Sequence, residues 1–326
     1  MIGRFKSWLV QNWPRSLVLP MTKLAAFGIQ RDSLDDEAHK IFLESGFHLF
    51  RKHFYLPIPD QAELENSYSE TSLVGIEMND EYALELLENV FPPYTEEFRK
   101  TFPLHREDGS SSFYLINGTF MAIDAHVYYS FIRHFRPKRI VEVGAGNSTL
   151  VAAAACRRNL EEHTEAPELA AIDPYPPEVL RQGVPGLSRL IEDKLQNVSL
   201  RTFTSLESGD ILFIDSSHVL RQGGDVQLEY CEILPRLAPG VLVHIHDISL
   251  PKAYPRVYFD KHLYWNEQYL LQALLTFSSR FEVIWPGNYI QLKYGEKVHK
   301  VFPEYDAMRE AFPMSEPSSF WIRVRG

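Results

Sequence analysis

Two short motifs place carboxylates and imidazoles where they can do chemistry. Asp215-Ser-Ser-His218 ends the apolar run 210–215, and His246-Asp247 ends the run 240–246. If both runs are neighbouring parallel strands, their carboxyl ends open into one crevice and these four side chains meet there. Two carboxylates with two imidazoles suit a divalent cation, or a general base that takes a proton from a hydroxyl. A structural polar cluster is the remaining interpretation.

A third motif, Glu142-Val-Gly-Ala-Gly-Asn-Ser-Thr149, supplies a glycine turn between an apolar β-branched run and a helix-like stretch. This is the arrangement in which backbone N–H groups and a helix N-terminus face a ligand. Thr149 stands where a dinucleotide fingerprint has its third glycine, which disfavours NAD. Glu142 would repel a pyrophosphate but attract a cation. Asp173 ends the next run, where a carboxylate can bind the two hydroxyls of a ribose.

The elements that must position these motifs alternate between strand and helix from residue 139 onward. This alternation predicts an α/β fold with a Rossmann-like, doubly wound parallel sheet. Asp124 is predicted to cap a helix at 125–135, and Pro92-Pro93 to end a helix at 79–91. The polar stretch 107–112 suggests an N-terminal helical and extended segment, 1–110, that packs on or caps a domain at 111–326. The predicted strands are 139–143, 169–173, 188–192, 210–215, 240–246, 281–285 and 319–324.

Composition excludes several classes of protein. The 326 residues are 45% hydrophobic and carry a net charge of −10, which disfavours nucleic-acid binding. Two cysteines give no disulfide framework and fit a reducing, cytoplasmic compartment. No apolar run approaches the roughly 18 residues of a membrane span. Residues 1–31 hold five basic residues, no acid and two tryptophans, so they either contact an anionic membrane surface or pack as an arm.

The Glu-x-Gly-x-Gly pattern resembles motif I of class I S-adenosylmethionine (SAM) methyltransferases. Asp215-Ser-Ser-His218, Leu234-Pro-Arg-Leu-Ala-Pro-Gly240 and His246-Asp-Ile-Ser-Leu-Pro251 resemble one subgroup of them, with mostly uncharacterised bacterial members. The resemblance implies a seven-stranded sheet. It also implies that Asp215 and Asp247 hold a divalent ion such as Mg²⁺, as in related sugar and macrolide O-methyltransferases, although His246 stands where some of these carry a second acid. The residues expected to bind SAM are Glu142, Gly144, Ala145, Gly146, Asn147, Ser148, Asp173 and Asp215.

We therefore predict a SAM-dependent methyltransferase that acts on a hydroxyl of a small molecule or saccharide. His218 or His246 is the predicted base, with Asp215 and Asp247 orienting it or holding an ion. Aromatic residues after the fifth strand are candidates for the acceptor wall or for the core: Tyr254, Tyr258 and Trp265. Two alternatives stay open: an NAD-dependent oxidoreductase, and a non-catalytic SAM-fold module in a glycan-modifying assembly.

Overall fold

The computed structural model describes residues 19–26, 36–48, 50, 52–65, 69–109, 111–162 and 167–326. The chain divides into two compact units, Met1–Asp60 and Gln61–Gly326. In the first unit, the described helices cover 19–26 and Asp36–Glu44. Most of the basic start lies outside the described residues, so its membrane role stays a prediction, as does the division near residue 110. Within the described part of the chain, no helix is long and apolar enough to cross a membrane.

The second unit is built on a seven-stranded sheet with the order β3-β2-β1-β4-β5-β7-β6. This sheet confirms the predicted α/β fold class and the number of strands. The strands are β1 (Arg139–Val143), β2 (Glu168–Ile172), β3 (Arg189–Ile191), β4 (Ile211–Ile214), β5 (Leu242–Ile245), β6 (Phe281–Pro286) and β7 (Phe320–Val324).

One strand, β7, departs from the parallel direction that the alternation of strands and helices predicts. β7 is antiparallel to both of its neighbours, β5 and β6. The chain leaves β6 at Pro286, which pairs with Phe320 at the start of β7. The connection between β6 and β7 therefore starts and ends at the same end of the two strands. β7 then has to run antiparallel to β6.

The apolar sequence of the strands follows from burial on both faces of the sheet. Along β1, Ile140 belongs to one apolar core and Val141 to the other. Helices Phe91–Thr101 and Asp124–Phe135 contribute to the first core and helix Glu267–Leu275 to the second. The other helical segments of this unit are Gln61–Glu65, Asp80–Glu85, Leu86–Val90, Asn147–Glu162, Glu178–Arg181, Leu195–Asn197, Arg201–Thr204, Asp225–Leu228, Glu229–Ile233, Leu234–Arg236, Arg256–Asp260, Gly287–Val301 and Glu304–Ala311.

The pair Pro92-Pro93 does not end a helix, so that prediction was wrong. Helix Asp80–Glu85 passes through a π-helical turn, Leu86–Val90, directly into helix Phe91–Thr101. The two prolines lie in the first turn of this last segment. Proline is tolerated there, because the first N–H groups of a helix have no partner within it.

His126 gives the fold a measurable dependence on pH. The imidazole is fully buried and its ring lies 4.3 Å from that of Phe98. It makes no hydrogen bond to the described residues. Burial lowers the pKa of His126 from 6.5 to about 4. Below pH 6.5, His126 is therefore protonated in the unfolded chain but stays neutral in the folded protein. The free energy of unfolding falls as the pH approaches 4.

We expect His126→Phe to remove this pH-dependent loss. Phenylalanine suits the aromatic surroundings and does not titrate. Between about pH 7 and pH 4, the wild type should lose roughly 3 kcal/mol more unfolding free energy than the variant, at 1.36 kcal/mol per pKa unit. Urea unfolding at both pH values measures this difference. Equal losses in the two proteins would show that His126 already takes up its proton in the folded state.

Candidate active site

A cavity of about 1030 Å³ opens beyond the carboxyl ends of β1, β2, β4 and β5. It lies where the strand order changes direction, between β1 and β4, which is the usual ligand position in such sheets. Its volume is at the upper end for small-molecule sites, large enough for two ligands. The predicted site residues that line it are Gly144, Ala145, Gly146, Asn147, Ser148, Asp173, Asp215, His246 and Asp247. Glu142 and His218 are outside this lining.

The two glycines of the turn after β1 are needed for different reasons. Gly144 has φ +90°, and a Cβ there would lie 2.1 Å from the backbone oxygen of Asp215. A Cβ on Gly146 would meet no atom within 4 Å among the residues that the structure describes. Gly144 is thus required by the protein's own backbone, whereas Gly146 leaves room in the cavity. Helix Asn147–Glu162 begins immediately afterwards, so its N-terminus also faces the cavity.

Thr149 and Glu142 are polar residues on either side of this turn in the sequence. The hydroxyl of Thr149 accepts a hydrogen bond from the N–H of Gly146 at 3.0 Å, which explains a threonine in place of a third glycine. Glu142 is fully buried and accepts a hydrogen bond from the Tyr128 hydroxyl at 2.9 Å. Burial raises the pKa of Glu142 to about 7. Glu142 lies outside the cavity lining, and its predicted role in binding SAM stays a prediction.

Asp173 fastens the same turn from the end of β2. One carboxylate oxygen accepts the N–H of Ala145 at 3.0 Å, and the other accepts the N–H of Tyr175 at 2.6 Å. The side chain still lines the cavity. Carboxylate oxygens can accept further hydrogen bonds, so a position beside ribose hydroxyls stays compatible with these contacts.

Asp215, His246 and Asp247 come together as predicted from their strand ends. They offer ligand atoms that all lie within 4.8 Å of one another. Nδ1 of His246 is 3.7 Å from a carboxylate oxygen of each aspartate and has no hydrogen-bond partner among the described residues. Burial opposes protonation of His246, but the two carboxylates outweigh it and raise its pKa. This trio has the composition of a divalent-cation site.

Asp124 is a fourth acidic residue next to this trio. The prediction that it caps a helix was wrong. No side chain in the described part of the chain makes a capping hydrogen bond to this helix. The buried Asp124 carboxylate instead accepts the backbone N–H groups of Ser318 and Ser319 at 3.0 Å each, and lies 3.4 Å from Nε2 of His246. Such a carboxylate behind an imidazole fixes which ring nitrogen is free to bind a metal. Asp124 lies far from the strand-end motifs in sequence, so no local pattern marked it.

His218 lies behind the carboxylates. Its Nε2 is 3.2 Å from Asp215 and 3.4 Å from Asp247. Its Nδ1 is 2.8 Å from the carboxylate of Glu267, a buried residue that the sequence did not single out. Burial disfavours the imidazolium, but Asp215 and Glu267 outweigh this and raise the pKa of His218 well above its ordinary value. His246 is thus the one of the two predicted bases that faces the cavity.

The aromatic residues after β5 divide between the cavity and its support. Tyr258 and Trp265 line the cavity, with ring centroids 4.5 Å apart. The ring of Trp265 also packs against the imidazole of His218, with ring centroids 4.4 Å apart. Tyr254 is not in the lining, and its hydroxyl accepts the N–H of Gln268. The cavity therefore has an aromatic wall beside its carboxylates.

Comparison with known proteins identifies the family. A methyltransferase domain model matches residues 141–248, from within β1 to just past the end of β5. An uncharacterised protein of Archaeoglobus fulgidus is 34% identical over 190 residues, covering 55% of this chain and 80% of that relative.

Two solved structures are also similar to the chain. A Podospora anserina methyltransferase, PaMTH1, solved with S-adenosylhomocysteine, is 16% identical with a TM-score of 0.37, over 80% of this chain and 92% of that one. A Bacillus cereus O-methyltransferase, also in complex with S-adenosylhomocysteine, is 14% identical with a TM-score of 0.33, over 82% and 96%.

The domain model spans the glycine turn, Asp173 and the strand-end trio, and each of them lines the one cavity at the switch point of the sheet. An NAD-dependent oxidoreductase and a non-catalytic module, the two alternatives from the sequence, are set aside. The chain belongs to the class I family of SAM-dependent methyltransferases.

Proposed function

We propose that this methyltransferase acts on a hydroxyl group of a small molecule or saccharide, assisted by a divalent cation. The observation that carries the proposal is the convergence of Asp215, His246 and Asp247 within 4.8 Å, in the cavity that the glycine turn also lines. In this reaction the C–S bond of the sulfonium breaks as an O–C bond forms. The hydroxyl releases its proton to solvent, and the products are a methyl ether, S-adenosylhomocysteine and that proton.

The residues present fit a divalent cation. Two carboxylates and an imidazole nitrogen offer ligand atoms within 4.8 Å of one another, and that nitrogen is buried without a partner among the described residues. Asp124 stands behind the other ring nitrogen of His246 at 3.4 Å. Carboxylate-rich sets favour Mg²⁺ or Mn²⁺. When bound, such an ion lowers the pKa of a hydroxyl that contacts it.

The protein's own residues do the positioning. The open space at Gly146 admits the cofactor against the backbone, and the N-terminus of helix Asn147–Glu162 faces it. Asp173 is our candidate for the ribose hydroxyls. Holding the methyl group in line with the acceptor oxygen converts a bimolecular encounter into a reaction within one complex, which is the main source of rate in such chemistry.

The lining favours a saccharide among possible acceptors. Tyr258 and Trp265 offer an aromatic surface on which the apolar face of a sugar ring can pack. Carboxylates in the same cavity accept hydrogen bonds from several hydroxyls at once. Few precisely placed polar groups beside an apolar wall are typical of small-molecule sites.

Transfer of a labelled methyl group from SAM to saccharide acceptors tests the proposal. We expect the label on oxygen, loss of activity with chelator, and recovery with added Mg²⁺ or Mn²⁺. Label on nitrogen or carbon would overturn the hydroxyl acceptor. Activity that ignores chelator and rises with pH through a histidine pKa would replace the cation by His246 acting as a base.

A further inference from the structure

Two residues behind the carboxylates, His218 and Glu267, are not used by the proposed reaction. Neither lines the cavity, and they are 4% and 0% exposed. Burying an imidazole and a carboxylate is costly unless they satisfy one another. The contacts of His218 and Glu267 therefore indicate the role of this buried pair.

His218 joins the ends of two strands. Its Nε2 lies 3.2 Å from Asp215, which follows β4, and 3.4 Å from Asp247, which follows β5. Two carboxylates repel each other, and an imidazole N–H between them offsets the repulsion. One ring nitrogen thus holds both aspartates near a common point.

Glu267 fixes the orientation of that imidazole. One of its oxygens lies 2.8 Å from Nδ1 of His218, and the other accepts the Tyr230 hydroxyl at 3.0 Å. The backbone carbonyl of His218 also accepts the N–H groups of Asn266 and Glu267. With both carboxylate oxygens and the backbone engaged, the ring has no freedom to turn away from the aspartates.

Gln268, the residue after Glu267, holds the loop that follows β5. The side-chain oxygen of Gln268 accepts the N–H of Ser249 at 3.0 Å, and its amide donates to the carbonyl of Lys252 at 3.2 Å. The start of helix Glu267–Leu275 therefore holds the loops that follow both β4 and β5. These are the loops that carry Asp215 and Asp247.

We propose that Glu267 is a positioning residue, acting through His218 to keep Asp215 and Asp247 at the spacing that a divalent cation needs. This proposal rests on the cation site proposed above. Partners behind a ligand commonly set metal affinity by about 10–100-fold, because they hold the ligand in its binding geometry.

Mn²⁺ titration followed by electron paramagnetic resonance tests this in the full-length protein. We expect Glu267→Gln to bind Mn²⁺ roughly tenfold more weakly or worse, with S-adenosylhomocysteine affinity, from calorimetry, equal to wild type. His218→Asn should show the same loss, because asparagine is too short to span from Glu267 to the aspartates. Asparagine tolerates the left-handed backbone of residue 218, where φ is +57°. His218→Asn also decides the test if Glu267→Gln does not fold.

Glu229→Gln is the matched control. Glu229 is equally buried, but its carboxylate accepts the Ser216 hydroxyl at 3.1 Å and makes no hydrogen bond to His218. Burial raises the pKa of the Glu229 carboxyl well above its ordinary value, and glutamine keeps the shape of that side chain. This variant should bind Mn²⁺ as the wild type does.

Three outcomes would overturn the proposal. Unchanged Mn²⁺ affinity in Glu267→Gln or His218→Asn would show that the aspartates need no support. Equal losses of Mn²⁺ and S-adenosylhomocysteine affinity would show general damage to the fold instead of positioning. Absence of Mn²⁺ binding in the wild type would remove the cation site itself, and with it the cation part of the proposed function, while leaving methyl transfer intact.

Discussion

Gly146→Val should abolish SAM binding in a protein that still folds. A Cβ at this position meets no atom of the described residues within 4 Å, so the valine side chain projects into the cavity where the cofactor is expected. Overpacking that a protein can relax costs about 1–3 kcal/mol, so a rigid overlap should weaken binding by roughly 100-fold or more. Calorimetric titration with S-adenosylhomocysteine measures the loss, and thermal unfolding reports on the fold.

Gly295→Val is the control for introducing a valine at a glycine. Gly295 lies in helix Gly287–Val301, away from the cavity lining, and its Cβ would meet only the end of the Gln291 side chain at 3.6 Å. Cofactor affinity should be unchanged in that variant. A folded Gly146→Val protein with wild-type affinity would remove the glycine turn from the cofactor site.

Asp247→Asn should keep SAM affinity and lose turnover. The change removes one charge from the trio with almost no change of shape. Asp247 lines the cavity and offers an oxygen 3.7 Å from Nδ1 of His246. Losing one preorganised electrostatic group at a reacting centre typically costs about 10²–10³ in rate. Steady-state rates, measured beside calorimetric cofactor affinity, separate the two effects.

The response of Asp247→Asn to metal concentration gives a second measurement. If Asp247 is a ligand, excess Mg²⁺ or Mn²⁺ should restore part of the lost rate by mass action. Turnover at the wild-type rate in the variant would reduce the trio to polar packing, and methyl transfer would then depend on positioning alone.

The sheet could be predicted because its strands are short, β-branched and buried on both faces. β1 occupies the predicted residues, and most other strands differ from prediction by a few end residues. The reversed β7 could not be foreseen, because an apolar run indicates a buried strand without its direction. That direction depends on where the preceding helices end, which is decided by packing.

The candidate site could be predicted to the extent that it follows strand ends. Asp215, His246 and Asp247 meet because parallel neighbours end at one edge. Asp124 was misassigned because it stands at the start of a helix, whereas its partner Ser318 is 194 positions away in the chain. Glu267 is 49 positions from His218. Contacts of this kind leave no local sequence pattern, so they could not be predicted from the sequence.

The close approach of Gly144 to Asp215 has a thermodynamic consequence. The cofactor turn rests on the backbone of a residue whose side chain belongs to the cation trio, since a Cβ on Gly144 would be 2.1 Å from the Asp215 oxygen. If the proposed cation binds this trio, we expect its binding equilibrium and that of the cofactor to be linked through this contact. Linkage is reciprocal: whatever factor the cofactor applies to cation affinity, the cation applies to cofactor affinity. We therefore expect S-adenosylhomocysteine to change the affinity of the protein for Mn²⁺, with Asp215 as the residue common to both sites.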